Sequence, residues 1–261
     1  PLFRRSLEIH EKTFGRDHPN VSTILDNLSF VLHRQKKYSS LSLIIRRSRR
    51  IEIAWLLQEL YLLSDQARSA QLRRLGDAWE VMFSWVNDYP SIVEIALETR
   101  LNRQGLLPEI EQRQTMLLNA PGVDSTKVEQ LQALTQQLAS VSLSSDRRNE
   151  MQKQRDKLQA DIYRQIPELQ LQLLTPLDVA KALPADGVLV EFQRYRLFDG
   201  RKPKDQRWGA AHYIALVLKP NGSISSVPLG PAAKVDALAL KALGASANQL
   251  SDADASWARL S

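Results

Sequence analysis

Leu2-Phe3-Arg4-Arg5-Ser6 returns as Ile44-Ile45-Arg46-Arg47-Ser48, apolar-apolar-Arg-Arg-Ser twice, at an offset of 42 residues (2 to 44). Self-similarity at such a period, when helical, describes a unit of two antiparallel helices that cannot bury its apolar face alone and must stack on a neighbour. Between the copies, Gly15-Arg16-Asp17-His18-Pro19-Asn20-Val21 is rich in turn formers and separates two periodic apolar segments. The spacing predicts helices over 22–35 and 38–50. A helix over 1–14 precedes them, with Leu2, Phe3, Leu7 and Ile9 as its buried stripe and Gly15 at its end.

Composition narrows the chemistry. The chain of 261 residues has room for one large domain or two modest ones, with 43% apolar and 25% charged residues, as in an ordinary globular protein. It has no cysteine, which excludes a disulfide framework, a thiolate metal site and a thiol nucleophile. No signal peptide is visible, and the most apolar run, Ile51 to Leu63, carries Glu52 and Glu59 and is too short to span a bilayer. The expectation is a cytoplasmic protein without a membrane partner. Charge is uneven: residues 1–74 hold 14 Lys and Arg against 7 Asp and Glu, a surplus of 7, which leaves the remainder near −1 of the total +6. Arg46, Arg47, Arg49 and Arg50 form the densest cluster and read as a solvated helix face. Nucleic acid is the weaker reading, because no stacking aromatics interleave with these arginines.

Past Arg50 the repeat text decays. Ile51 to Leu63 is apolar on nearly all sides, as for a helix between other helices, and Leu72, Leu75, Trp79, Phe83 and Val86 fall on one helical stripe. Trp55, Trp79 and Trp85 read as core anchors. Asp88-Tyr89-Pro90 stops that helix, and Ser91 with Glu94 has the spacing of a capping box for the next. After a loop at Asn119–Ser125, two long amphipathic helices are predicted at about 126–141 and 146–166 as an antiparallel hairpin. Their seams are Val128, Leu131, Leu134, Leu138 and Val141, then Met151, Leu158, Ile162 and Ile166.

The character then changes. Thr175-Pro176-Leu177-Asp178 starts a short helix, followed by strands at Val188–Arg196, Ala211–Leu218 and Ile224–Leu229. A basic loop (Arg201, Lys202, Lys204, Arg207) separates the first two, and Pro220-Asn221-Gly222 marks a hairpin before the third. A last helix carries Val235, Leu238 and Leu243. Three strands and a helix make an unfinished sheet with an exposed edge.

Two resemblances follow from these residues. Gly15-x-Asp17-His18-Pro19-x-Val21 with Leu25-Asp26-Asn27-Leu28 resembles the 42-residue tetratricopeptide repeat of kinesin light chains and many bacterial multidomain proteins. The resemblance makes Leu25, Leu28, Ser29 and Leu32 the packing positions of one helix, Tyr38 the turn aromatic, and Leu41, Ile45 and Ser48 the packing positions of the next. Phe3 and Ser6 match Ile45 and Ser48 one repeat earlier, so Pro1 is expected not to be a natural start. In such arrays the first helix of each pair lines a groove for extended peptides, which would place Thr23, Asp26, Asn27, Phe30 and Arg34 in it. His18 is expected to tie the connecting turn together and not to act in catalysis.

The second resemblance is to the CHAT family, caspase-like domains found downstream of such repeats. It rests on Asp178-Val179-Ala180, on Ala182-Leu183-Pro184-Ala185-Asp186-Gly187-Val188-Leu189-Val190-Glu191-Phe192, on Tyr213 to Leu218, and on Val227-Pro228-Leu229-Gly230-Pro231-Ala232. The expectation is a mainly α chain in three parts. Tetratricopeptide hairpins occupy 1–50, a helical linker 51–174, and the opening strands of an α/β caspase-like sheet 175–261. The family's peptidase activity needs a His–Cys dyad, with imidazole as base and thiolate as nucleophile. With no cysteine, and no Gly after His10, His18, His33 or His212, that dyad is absent from these residues. His212 reads as a surface residue at a strand end. The functional expectation is a sensing and protein-interaction segment of a longer repeat-CHAT protein, without cofactor or metal. The alternative is a non-enzymatic scaffold that binds partner peptides.

Overall fold

A computed structural model of the chain describes residues 2–59, 79–103, 112, 113, 116, 124–138, 143–165 and 173–247. In chain order these form α1 (Leu2–Phe14), α2 (Pro19–Arg34), α3 (Tyr38–Glu59), a helical stretch over 79–85, and a 3-10 turn (Pro90–Ile92) running into α4 (Val93–Arg103). Then come α5 (Ser125–Leu138), α6 (Ser145–Gln165), α7 (Pro176–Ala182), β1 (Leu189–Phe198), β2 (Trp208–Leu218), β3 (Ile224–Pro231) and α8 (Ala232–Ala247). The chain is thus mostly helical, with a small three-stranded antiparallel sheet. It divides into two units, Pro1–Gly76 with Leu101–Leu174, and Asp77–Arg100 with Thr175–Ser261.

In the first unit the turn after α1 closes on Gly15, whose φ of 91° is cheap only without a side chain. Its N–H reaches Glu11 O at 3.0 Å. His18 then caps α2, its Nδ1 accepting from the Asn20 N–H at 3.1 Å, and Pro19 occupies the first turn, where a missing N–H costs nothing. The helix therefore begins at Pro19, earlier than the 22 predicted. Lys36, at a φ of 56°, lets the Lys37 N–H return to Leu32 O at 3.0 Å and close α2.

The predicted packing positions meet across the α2–α3 hairpin. Leu25, Leu28, Ser29 and Leu32 are buried on α2, and Leu41, Ile45 and Ser48 on α3. Val21, Leu25 and Ile51 form a common cluster with Leu7 and Ile44 against it. Each leucine withdrawn from water contributes about 1.5–3 kcal/mol, so this seam holds the pair together. The small residues keep their hydroxyls satisfied: Ser22 donates to Pro19 O at 2.6 Å, Ser29 to Asp26 O at 2.6 Å, and Ser48 to Ser22 O at 3.2 Å.

Two helical expectations change. The helix predicted over 38–50 continues into the apolar run after it, so that α3 runs to Glu59, because the residues after Arg50 continue the same periodic buried face through Glu52 and Leu56. The buried stripe predicted for α1 does not form, with Leu2 84%, Phe3 39% and Ile9 54% exposed. α1 contacts α2, with Leu7 against the Val21, Leu25 and Ile51 cluster and Phe14 against His18, so residues away from that side face solvent.

α5 and α6 pair as the antiparallel hairpin predicted, through Val128, Leu131, Thr135 and Leu138 on one and Met151 and Ile162 on the other. Thr135 takes the seam position expected of Leu134, its Oγ1 donating to Leu131 O at 2.8 Å. Arg148, buried, donates to Leu138 O at 2.9 Å and so satisfies a carbonyl at the end of α5. Its guanidinium also lies 5.3 Å from the Phe14 ring centroid. Leu60 to Leu75, the 119–123 loop, Val141 and Ile166 lie outside the described residues.

In the second unit Trp79, Phe83, Trp85 and Val86 are buried, as core anchors should be. The capping box expected from Ser91 and Glu94 does not form. Tyr89 is the cap residue and makes no side-chain capping bond to the turn, because Pro90 initiates a 3-10 turn that replaces the first α turn. Thr175 and Asp178 do make a reciprocal capping box at α7.

The sheet has order β1-β2-β3, Leu189 opposite Leu218 and Leu218 opposite Ile224. Gly222 (φ 80°) makes the β2–β3 turn. One face carries Glu191 and Tyr195 with Ile214, Leu216 and Leu218, all buried. The other carries Val190, Phe192, Ala215, Val217 and Tyr213, and α8 contacts β2 and β3. Tyr213 Oη donates to Asp236 Oδ1 at 2.9 Å there. On that face at β1, Phe192 remains 57% exposed. Leu243 of α8, predicted as a packing residue, is exposed, since the buried line runs Ala232, Ala242 and Ala245.

Candidate functional site

The groove expectation concerns α2, and helical spacing divides its residues. Thr23, Asn27, Phe30 and Arg34 recur at steps of four, three and four, which places them on one stripe. Thr23, Asn27 and Arg34 are exposed and Phe30 is half-buried. An exposed amide beside a partly buried ring and a guanidinium suits an extended peptide: Asn27 can donate and accept at once, and Phe30 offers apolar area.

Asp26 belongs elsewhere. It lies on the α3 side, where Ser48 Oγ donates to Asp26 Oδ1 at 2.7 Å and Arg49 Nη2 pairs with the same oxygen. Arg49 Nη1 also lies 3.0 Å from Glu52 Oε2, both side chains 2% exposed. The reading of Arg49 as part of a solvated face is therefore corrected, because it faces α2 between two carboxylates that compensate its burial. Burial alone pulls its pKa down, but Asp26 and then Glu52 outweigh this and hold it above its ordinary value. This triad fixes the register of α2 on α3. The sequence signal for it was weak, since one arginine in a basic run looks like the others.

The rest of the cluster lies outside that interface. Arg47 Nη2 is 2.6 Å from Glu11 Oε1 and donates to Arg16 O at 3.0 Å, tying α3 to α1 and its turn. Arg50 is exposed and Arg46 half-exposed.

His18 does what was expected, capping α2 and stacking on Phe14 with centroids 4.9 Å apart. His212, predicted at a strand end, lies within β2 and is half-buried, since β2 begins at Trp208. Its ring is 6.3 Å from that of Tyr195, whose hydroxyl accepts from Asn87 Nδ2 at 3.2 Å. Burial raises the Tyr195 pKa, more than the Asn87 contact lowers it. Among the described residues no group of three or more His, Asp or Glu could hold a metal ion, and no helix is long and apolar enough to cross a membrane. Compared with family models, curated proteins and solved structures, the chain has no match.

Proposed function

We propose that this chain is the protein-interaction segment of a longer tetratricopeptide-CHAT protein, in which helical repeats receive a partner segment and the three strands begin a caspase-like sheet. The observation that carries the reading is the α2–α3 hairpin. Its leucine and serine positions pack inward while Thr23, Asn27, Phe30 and Arg34 stay together on an outward stripe. The antiparallel strands and the covering α8 are compatible with the second half of the reading. Peptide cleavage in that protein needs a thiolate that the chain itself cannot supply, as it has no cysteine. Its part is recognition, and coupling to a catalytic domain requires that the partner favour one of two arrangements.

A peptide array probed with the chain tests the recognition step. Extended peptides retained by the wild type and lost by Asn27→Ala with Arg34→Ala are the expected result. Equal retention by both proteins removes the stripe from the reading. The catalytic half is tested in the longer protein, where a His-Gly and a later Cys downstream of Ser261 are expected; a reading frame lacking them leaves the scaffold function.

A further inference from the structure

The β1–β2 hairpin carries a charged tip that the α2 stripe does not use. Pairing with β3 ends at His212 opposite Pro231, while β1 and β2 continue together through Arg196 opposite Ala211 and Phe198 opposite Trp208. The sheet therefore narrows to a two-stranded ribbon, closed by residues 199–207. The loop is tightly tied. The Asp199 N–H reaches Arg207 O at 2.8 Å, the Gln206 N–H reaches Pro203 O at 2.9 Å, and Arg207 Nε donates to Lys202 O at 3.1 Å. At its base Phe198 and Trp208 meet edge to face with centroids 4.9 Å apart. Arg196 lies 4.3 Å from the Trp208 ring centroid while pairing with Glu80 at 2.6 Å. A loop so braced presents its side chains with little ordering left to do on binding.

The charge of this tip has one sign in excess. Asp199 holds Arg201, so that pair adds little. Lys202, Lys204 and Arg207 make no ion pair among the described residues, Lys202 lying only in the longer-range field of Asp199. Asp205 is the remaining carboxylate of the loop, so three cations stand against one anion. Arg201 to Gln206 are all exposed, and apart from Pro203 all are polar or charged. The tip thus gives no apolar seat to a peptide side chain or to acyl chains. A partner that fits must supply closely repeated negative charge by itself, as a nucleic-acid backbone does. Aromatic rings flank this run, unlike the arginines of α3, but Arg196 and Phe198 already meet the Trp208 ring. A duplex, which needs no stacking platform, therefore suits the ribbon better than a single strand.

We propose that this ribbon docks in the major groove of duplex DNA, with Lys202, Lys204 and Arg207 against backbone phosphates. That groove is about 12 Å wide and admits a two-stranded ribbon, whose strands lie about 4.8 Å apart. The deep, narrow major groove of duplex RNA does not. The proposal rests on the second unit alone and stands independently of the α2 stripe.

The test is fluorescence anisotropy of the chain with a dye-labelled DNA duplex over a series of salt concentrations. Three phosphate contacts give an expected slope of about −2.7 in log K against log salt, and Lys202→Gln with Lys204→Gln should bring it to about −0.9. At low salt the affinity of that variant should fall about tenfold. Lys219→Gln with Lys241→Gln removes the same charge at the β2–β3 turn and on α8, and should keep the wild-type slope. All four lysines are exposed, so an unchanged circular dichroism spectrum and melting curve show that the fold survives. Methyl green, a major-groove ligand, should displace the chain, and netropsin, a minor-groove ligand, should not. Duplex RNA, single-stranded DNA and polyglutamate should each compete more weakly than duplex DNA. The proposal is overturned by an unchanged slope in the tip variant, by an equal loss in the control variant, by displacement with netropsin, by equal competition from any of the other three polyanions, or by no binding at low salt.

Discussion

Ser48 and Asp26, on facing helices, share a hydrogen bond of 2.7 Å, and Arg49 closes on the same carboxylate oxygen from the next position in the chain. Because Glu52 is also buried beside Arg49, the guanidinium compensates two carboxylates at once. Removing the cation is therefore worse than removing one anion. Arg49→Met is expected to destabilise the first unit by about 3–5 kcal/mol, since it strands charge in the interior. Asp26→Asn should cost about 1–2 kcal/mol, because the amide still accepts from Ser48 and Glu52 remains to balance Arg49. Urea unfolding followed by helical circular dichroism ranks the two; the reverse order contradicts this account.

A similar asymmetry holds in the second unit at smaller scale. Arg100 Nε lies 3.2 Å from Glu191 Oε2, with side chains 28% and 11% exposed. Arg100→Met leaves a nearly buried carboxylate facing an apolar side chain, and about 1–2 kcal/mol of stability should be lost. Glu191→Gln should cost less, as the guanidinium keeps an acceptor and reaches water. Thermal melts of the two variants decide the matter.

The start of α7 depends on Thr175. Its hydroxyl and backbone N–H reach Asp178 Oδ2 at 2.5 and 3.2 Å, and the Asp178 N–H returns to Thr175 Oγ1 at 3.2 Å. Thr175→Ala is expected to lose about 1 kcal/mol and Thr175→Ser much less. Amide exchange over 176–182 should speed up in the alanine variant, and unchanged protection there shows that the cap does not hold the helix.

Asp199 gives the pH signature. Arg201 Nε and Nη2 donate to it at 2.9 and 3.1 Å, and its backbone N–H adds a bond at 3.0 Å. The side-chain bonds to Arg201, then its backbone bond, push the Asp199 pKa down to about 2 from an ordinary 3.8. A depressed folded pKa means the contact favours the fold above about 3.8 and loses that advantage as pH falls through 2. The carboxyl carbon shift of Asp199 should titrate near 2, and Arg201→Ala should return it towards 3.8. A midpoint unmoved by that change disconnects the two residues.

How far these features were legible in the chain differs from one to the next. The α2–α3 seam followed from periodicity, since a leucine that recurs at helical spacing has one buried line available to it. The helix start at Thr175 was local as well, since its cap uses atoms within a few residues, whereas the start of α2 at Pro19, capped by His18, was expected only at 22. Local rules failed at Ser91, where a proline one residue earlier imposed another geometry, and at α1, whose apolar residues outnumber the places that α2 can cover. The residues expected in a groove show both sides. Thr23, Asn27, Phe30 and Arg34 fall on one stripe by spacing alone, whereas the position of Asp26 depended on Arg49 reaching it from another helix.

The sequence by itself determined that the chain would be mostly helical with three late strands, because helix period, turn residues and caps are written within single segments. Only the tertiary structure decided which arginine of a basic run would be buried, which strands α8 would contact, and where a cleft would open beside α3. Those outcomes depend on distances between segments far apart in the chain, where the cost of burying a charge is set by the partner that folding brings to it.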